Sequence, residues 1–132
     1  MAEEHFFWGS KKIKNGQNFE KMYKYRAKLI RIIDGDTIEA LIDLGFEIAT
    51  RKTIRLYGID APETRGGLKE EKEAGLRAKK RLQELLEASD GEFKLVSHGL
   101  GKFGRCLGEL FIGKQSINEQ LINEGLVKKY DG

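Results

Sequence analysis

Asp36, Asp60 and Glu63 supply three carboxylates, and Arg55 and Arg105 two guanidiniums, at or beside turn-forming words in a strand-rich chain. If Asp36 and Asp60 meet, they repel unless something positive lies between them. A hard divalent cation suits that position, because it takes carboxylate, carbonyl and water oxygens, and no thiolate or imidazole stands near either aspartate in the sequence. Taken alone, Asp34-Gly35-Asp36-Thr37 reads equally well as a solvated turn. Glu63 adds a base three residues after Asp60, across Pro62, the only proline, which stiffens the turn. Each arginine alone reads as an ordinary surface ion-pair partner. Together these groups form the inventory of phosphodiester hydrolysis: a Lewis acid for a phosphate oxygen, a base for water, and forked donors for charge on the phosphorane.

The elements that must position these groups follow from hydrophobic periodicity. Residues 22–33 read as a long strand with a bulge near Leu29 and Ile30. Residues 37–44 form a second strand with Ile38, Ala40, Ile42 and Leu44 on one face; 45–51 turn the chain, and 52–60 form a third. Pairing Leu44 with Lys52 places Ala40 opposite Leu56 and Asp36 opposite Asp60, so both aspartates share one end of the sheet. A helical period follows over 69–88, carried by Ala74, Ala78, Leu82 and Leu85/Leu86, despite an interior Gly75 that costs about 1 kcal/mol relative to Ala. Residues 93–97 make a fourth strand and 105–112 a fifth, with a glycine-rich loop between them. Ser116 and Glu119 form a capping box for a short helix with Ile117, Leu121 and Ile122 inward, closed by Gly125. This order predicts an α+β fold: a five-stranded OB-type β-barrel with a helix inserted between strands 3 and 4 and a short C-terminal helix.

The whole composition agrees. A chain of 132 residues, 39% hydrophobic and 34% charged, fits one domain with a modest core. One cysteine and two histidines exclude an intramolecular disulfide framework and a thiolate-rich or zincin-type zinc site. Cys106 reads as a buried filler and His98 as a loop residue. The net charge of +3 is unevenly spread: residues 1–33 hold eight basic and three acidic side chains, and the remainder is slightly acidic. We expect a basic leader over residues 1–21, able to attract phosphate, and a folded domain over 22–132. Phe6, Phe7 and Trp8 either cover an apolar patch of the barrel or mark a partner site. No apolar run is long enough to span a membrane and no signal core is visible, so the expectation is a cytoplasmic chain as given, or a secreted one if a signal peptide has been removed.

Three motifs, Ile33-Asp34-Gly35-Asp36-Thr37, Ile54-Arg55-Leu56 leading into Ile59-Asp60-Ala61-Pro62-Glu63-Thr64, and Lys102-Phe103-Gly104-Arg105, make residues 22–130 resemble the staphylococcal-nuclease-like, or thermonuclease, family. The resemblance implies a Ca²⁺-dependent nuclease, with Ca²⁺ favoured over Mg²⁺, that cuts DNA and RNA with little sequence preference. By the same resemblance, Asp36, Asp60 and the Ala61 carbonyl match the metal ligands, and Arg55 and Arg105 the catalytic arginines. Glu63 matches the glutamate that acts on the attacking water. Lys102, Phe103 and Tyr130 fall at substrate-binding positions, with Phe103 in place of the usual tyrosine and Gly101 where an acidic residue is common. The expected partners are DNA and RNA substrates, with no membrane, and the chain is expected to be a monomer. The alternative is a non-catalytic OB-fold module that binds single-stranded nucleic acid or protein. Such a module has no need of Asp36, Asp60 and Glu63 together, which would repel phosphate without a cation.

Overall fold

A computed structural model describes residues 23–130; the basic leader expected over 1–21 lies outside the described residues. β1 (Lys24–Asp34) turns through Gly35 and Asp36 into β2 (Thr37–Gly45), which pairs with β3 (Ile48–Leu56). A turn at Tyr57 and Gly58 leads to the short β4 (Ile59–Asp60), then α1 (Lys69–Glu87), β5 (Glu92–Leu100) and β6 (Cys106–Ile112). β7 (Gln115–Ser116), α2 (Ile117–Asn123) and β8 (Lys128–Lys129) complete the order. The main sheet runs β3-β2-β1-β5-β6-β7, and a parallel pairing of β3 with β6 closes its first five strands into a barrel. The expected OB-type barrel with one inserted and one C-terminal helix is therefore what the chain forms.

Alternation along the strands points Ile38, Ala40, Ile42, Ile54, Leu56, Leu95 and Leu110 inward, all buried. α1 closes the barrel with Ala78, Leu82 and Leu86, and α2 adds Ile117 and Leu121. The bulge in β1 falls where expected: Leu29 pairs with Ala40 and Arg31 with Glu39, leaving Ile30 as the extra residue. Ser116 caps α2 by accepting from the Glu119 N–H at 3.2 Å, while its own hydroxyl donates to Glu109, so the capping box is half formed.

The register of the β2–β3 hairpin differs from the expectation. Ala40 faces Lys52 and Thr37 faces Arg55, a shift of four residues, because the chain reverses in two residues rather than over 45–51. Phe46 and Glu47 both adopt left-handed conformations, φ 55° and 64°, as a tight hairpin turn requires. Neither is glycine, which is why the turn is hard to read in advance. The shift is even, so the core face is unchanged but Asp36 no longer lies opposite Asp60. Leu44 moves to the exposed hairpin tip.

Candidate active site

The two aspartates still meet, by another route. β3 ends at Leu56, whose N–H donates to the Asp36 carbonyl at 2.8 Å, and the Tyr57-Gly58 turn then folds β4 back beside that end. Gly58 supplies the left-handed φ of 81° that the turn needs. Arg55, outward-facing between buried Ile54 and Leu56, is thus enclosed by its own chain. Its Nη1 donates to the carbonyls of Leu56 (3.1 Å) and Ile59 (2.9 Å) and lies 3.4 Å from Asp36 Oδ2, while Nη2 donates to Asp60 Oδ1 at 3.3 Å. The guanidinium therefore sits between the two carboxylates. Asp36 is buried and aimed from both sides: Oδ1 accepts from the Thr37 hydroxyl and Oδ2 from the Ala61 N–H, each at 2.8 Å.

The loop that carries Ala61, Pro62 and Glu63 rests on α1, and the interior glycine of that helix is the reason it can. A Cβ on Gly75 would stand 2.7 Å from the carbonyl oxygens of both Pro62 and Glu63. One turn further along, Ala78 packs against Gly35, where an added Cβ would meet the Ala78 methyl at 2.8 Å and the Ala61 methyl at 3.0 Å. A face of small residues on α1 thus receives both acidic turns. The Thr64 hydroxyl ties them together by donating to Asp34 Oδ1 at 2.9 Å.

The second arginine arrives through the barrel seam. Ile54 pairs with Cys106 and Arg55 with Leu107, so Arg105, Leu107 and Glu109 face outward on the strand next to Arg55. Arg55, Arg105, Lys102, Tyr57, Lys129 and Tyr130 line one cavity of about 550 Å³. The Tyr130 ring lies 5.8 Å from the Arg55 guanidinium carbon, within cation–π range. Arg105 Nε is buried and has no hydrogen-bond partner among the described residues. Phe103 stands apart, 94% exposed at the tip of the Lys102–Gly104 turn with φ 59°, and does not line this cavity.

Glu63 is exposed on the other side of Asp60. With Asp60, Ala61, Glu71, Arg77 and Lys128 it lines a neighbouring cavity of about 670 Å³. The structure therefore gathers Arg55, Arg105, Lys102 and Tyr130 in one cavity and Asp60, Ala61 and Glu63 in the next. Asp60 touches both groups, because β4 pairs Asp60 with Lys128 and Ile59 with Lys129 between the two cavities.

Two residues to which the sequence reading gave no part in the site, Asn118 and Gly75, hold this arrangement. Asn118 is buried on α2; its Oδ1 accepts from the Leu110 N–H at 3.1 Å, and its Nδ2 donates to the carbonyls of Tyr57 (2.8 Å) and Gly108 (3.2 Å). It pins the Tyr57-Gly58 turn to β6. Gly75 is the other, and its signal was present as a glycine within a strongly periodic helix.

The oxygens that could serve a cation here are those of the Asp36 and Asp60 carboxylates, which the Arg55 guanidinium bridges in this structure, and the Ala61 carbonyl. Such oxygen ligands fit a hard divalent ion completed by water. Among the described residues there is no group of three His, Cys, Asp or Glu side chains placed as metal ligands, so backbone and water would supply the remaining positions.

A family profile described as staphylococcal nuclease homologue matches residues 53–131, more than half of the chain. The chain belongs to this family. The match begins on β3 just before Arg55 and leaves Asp36 upstream, so only the fold restores Asp36 to the remainder of the site. Among relatives of the staphylococcal nuclease homologues, a micrococcal nuclease of Shigella flexneri is 31% identical over 117 residues, covering 80% of this chain and 59% of its own length. A thermonuclease of Staphylococcus hyicus is 30% identical over 101 residues, covering 76% and 57%. An endonuclease, YncB, of Bacillus subtilis is 30% identical over 101 residues, covering 76% and 46%. The chain spans about half the length of these curated relatives. No helix among the described residues is long and apolar enough to cross a membrane.

Proposed function

We propose that this chain is a Ca²⁺-dependent nuclease that hydrolyses phosphodiester bonds of DNA and RNA with little sequence preference. The observation that carries this reading is the Arg55 guanidinium held between Asp36 and Asp60, in a cavity shared with Arg105, whose Nε has no acceptor among the described residues. Asp36, Asp60 and the Ala61 carbonyl would hold the cation, which when bound polarises a phosphate oxygen. Glu63 orients a water molecule and takes its proton for in-line attack, from the side of Asp60 away from the guanidiniums. Arg55 and Arg105 donate to the remaining phosphate oxygens, and these bonds strengthen as negative charge develops in the transition state. Lys102 and Tyr130 contact the flanking substrate, and exposed Phe103 offers a ring to a neighbouring base. Residues 22–132 act as the catalytic domain, with the basic residues of 1–21 drawing nucleic acid toward it.

The test is digestion of plasmid DNA, a single-stranded oligonucleotide and RNA in Ca²⁺, Mg²⁺ or chelator. Cleavage of all three in Ca²⁺ and none in chelator is expected. Full activity in excess chelator would sink the metal assignment, and binding without cleavage in any metal would favour the non-catalytic OB-fold module.

A further inference from the structure

Tyr57 and His98 form a parallel aromatic pair, ring centroids 3.9 Å apart and planes 7° apart. Local backbone geometry creates this pair. β5 and β6 slip register between Ser97 and Leu100: Ser97 faces Gly108 and Leu100 faces Cys106, leaving His98 and Gly99 opposite the single residue Leu107. A bulge of this kind re-aims a side chain, and here it sends His98 toward the turn that follows Arg55. Tyr57 is fixed from both ends of its peptide unit. Its N–H donates to the Gly108 carbonyl at 2.8 Å, and its carbonyl accepts from Asn118 Nδ2 at 2.8 Å.

The pair does not serve the core. Tyr57 is 47% exposed and lines the same cavity as Arg55, Arg105 and Lys102. It lies two residues beyond Arg55. A rigid, half-solvated aromatic stack beside two phosphate-binding guanidiniums suits one kind of ligand group, a planar heteroaromatic ring joined to a phosphate.

We propose that the Tyr57–His98 stack is a nucleobase platform, which holds an unpaired base of the substrate strand next to the phosphate bound by Arg55 and Arg105. This rests on the nuclease reading for the nature of the substrate, but it assigns residues that reading does not use. Tyr57 contacts the base directly, and His98 is a positioning residue that sets the plane of the ring.

The test uses the full chain and a single-stranded oligodeoxynucleotide carrying 2-aminopurine, titrated in Ca²⁺ with cleavage-resistant phosphorothioate linkages so that the strand stays intact. Stacking on the platform quenches the 2-aminopurine fluorescence. Tyr57→Ala is expected to abolish the quench and raise Kd roughly 5- to 150-fold, while Tyr57→Phe, which keeps the ring, stays within about two-fold of the parent. His98→Ala is expected to weaken the quench without abolishing it. An oligonucleotide with an abasic site in place of the probe base should bind the parent and Tyr57→Ala equally. In turnover with metal, Tyr57→Ala should raise KM and leave kcat unchanged, because the base is held equally in the ground and transition states. Unchanged quench, Kd and KM in Tyr57→Ala would overturn the platform, as would an equal loss on the abasic strand. A parent chain that quenches the probe but cuts nothing in any metal would overturn the nuclease reading and leave the platform standing.

Discussion

Replacing Gly75 with alanine tests whether α1 sets the position of Glu63. The added Cβ would stand 2.7 Å from two backbone carbonyl oxygens and 2.9 Å from the Glu63 carbonyl carbon, all belonging to the loop rather than to a flexible side chain. Reaching an ordinary contact of about 3.4 Å requires that loop to retreat by about 0.7 Å. Two stability effects oppose each other: alanine improves the helix by about 1 kcal/mol, and overpacking costs about 1 to 3 kcal/mol. The net change is a destabilisation of at most about 2 kcal/mol, which leaves the protein folded. Catalysis should be more sensitive, since a 1 Å misplacement near a reacting group can cost about 100-fold, so kcat is expected to fall about 10- to 100-fold. Steady-state cleavage of a labelled single-stranded oligonucleotide, alongside thermal denaturation, separates the two effects. Leu76→Ala, at the next position and half exposed, should leave kcat unchanged. Parental kcat in Gly75→Ala would refute the reasoning, and so would a loss fully accounted for by the unfolded fraction at the assay temperature.

Arg55→Ala and Arg105→Ala should each lower kcat by at least about 100-fold, and lysine should rescue poorly because it lacks the planar fork; near-parental turnover in either variant would remove that residue from the mechanism. Asn118→Ala leaves the Leu110 N–H and the Tyr57 carbonyl without the Asn118 amide, while the Gly108 carbonyl keeps the Tyr57 N–H, and urea denaturation should show a loss of about 2 to 3 kcal/mol. The Arg81 guanidinium, and then Gln120, hold the Glu124 carboxyl below its ordinary 4.5, across a two-bond link from α1 to the end of α2. The folded pKa is the lower one, so this contribution is present above 4.5 and is lost as pH falls through the folded value. The melting-temperature difference between the parent and Glu124→Gln should therefore shrink on acidification from about pH 6 to about pH 3.

The five barrel strands and both helices were legible in the sequence because each carries a clean period, and the bulge at Ile30 showed itself as a break in alternation. The third strand expected over 52–60, however, is broken at Tyr57 and Gly58 into β3 and β4, and the two-residue β7 and β8 carry no period to read. The hairpin register was not legible either, since it depends on Phe46 and Glu47 accepting a conformation that neither residue type advertises. Asp36 and Asp60 were expected at one end of the sheet, and both do contact Arg55. Their meeting depends on the Tyr57-Gly58 turn rather than on cross-strand pairing. Closer detail was beyond reach because it is non-local: Asn118 bonds to Tyr57 across a long sequence separation, and Gly75 carries no pattern that names the loop it accommodates. The split of Glu63 and the arginines between adjoining cavities likewise depends on how β4 and β8 pair, two residues each.

The barrel seam joins Ile54–Leu56 to Cys106–Gly108 over only three residue pairs. Arg55 and Arg105 belong to chain segments separated by the whole of α1 and β5, and this short ladder is what makes them neighbours. Such distant strands are brought together late, because the intervening loop must be closed before the contact contributes. During refolding, return of catalytic competence should thus lag behind recovery of helical signal and coincide with protection of the Tyr57 amide from hydrogen exchange, so that enzymatic activity becomes a clock for the final closing of the barrel.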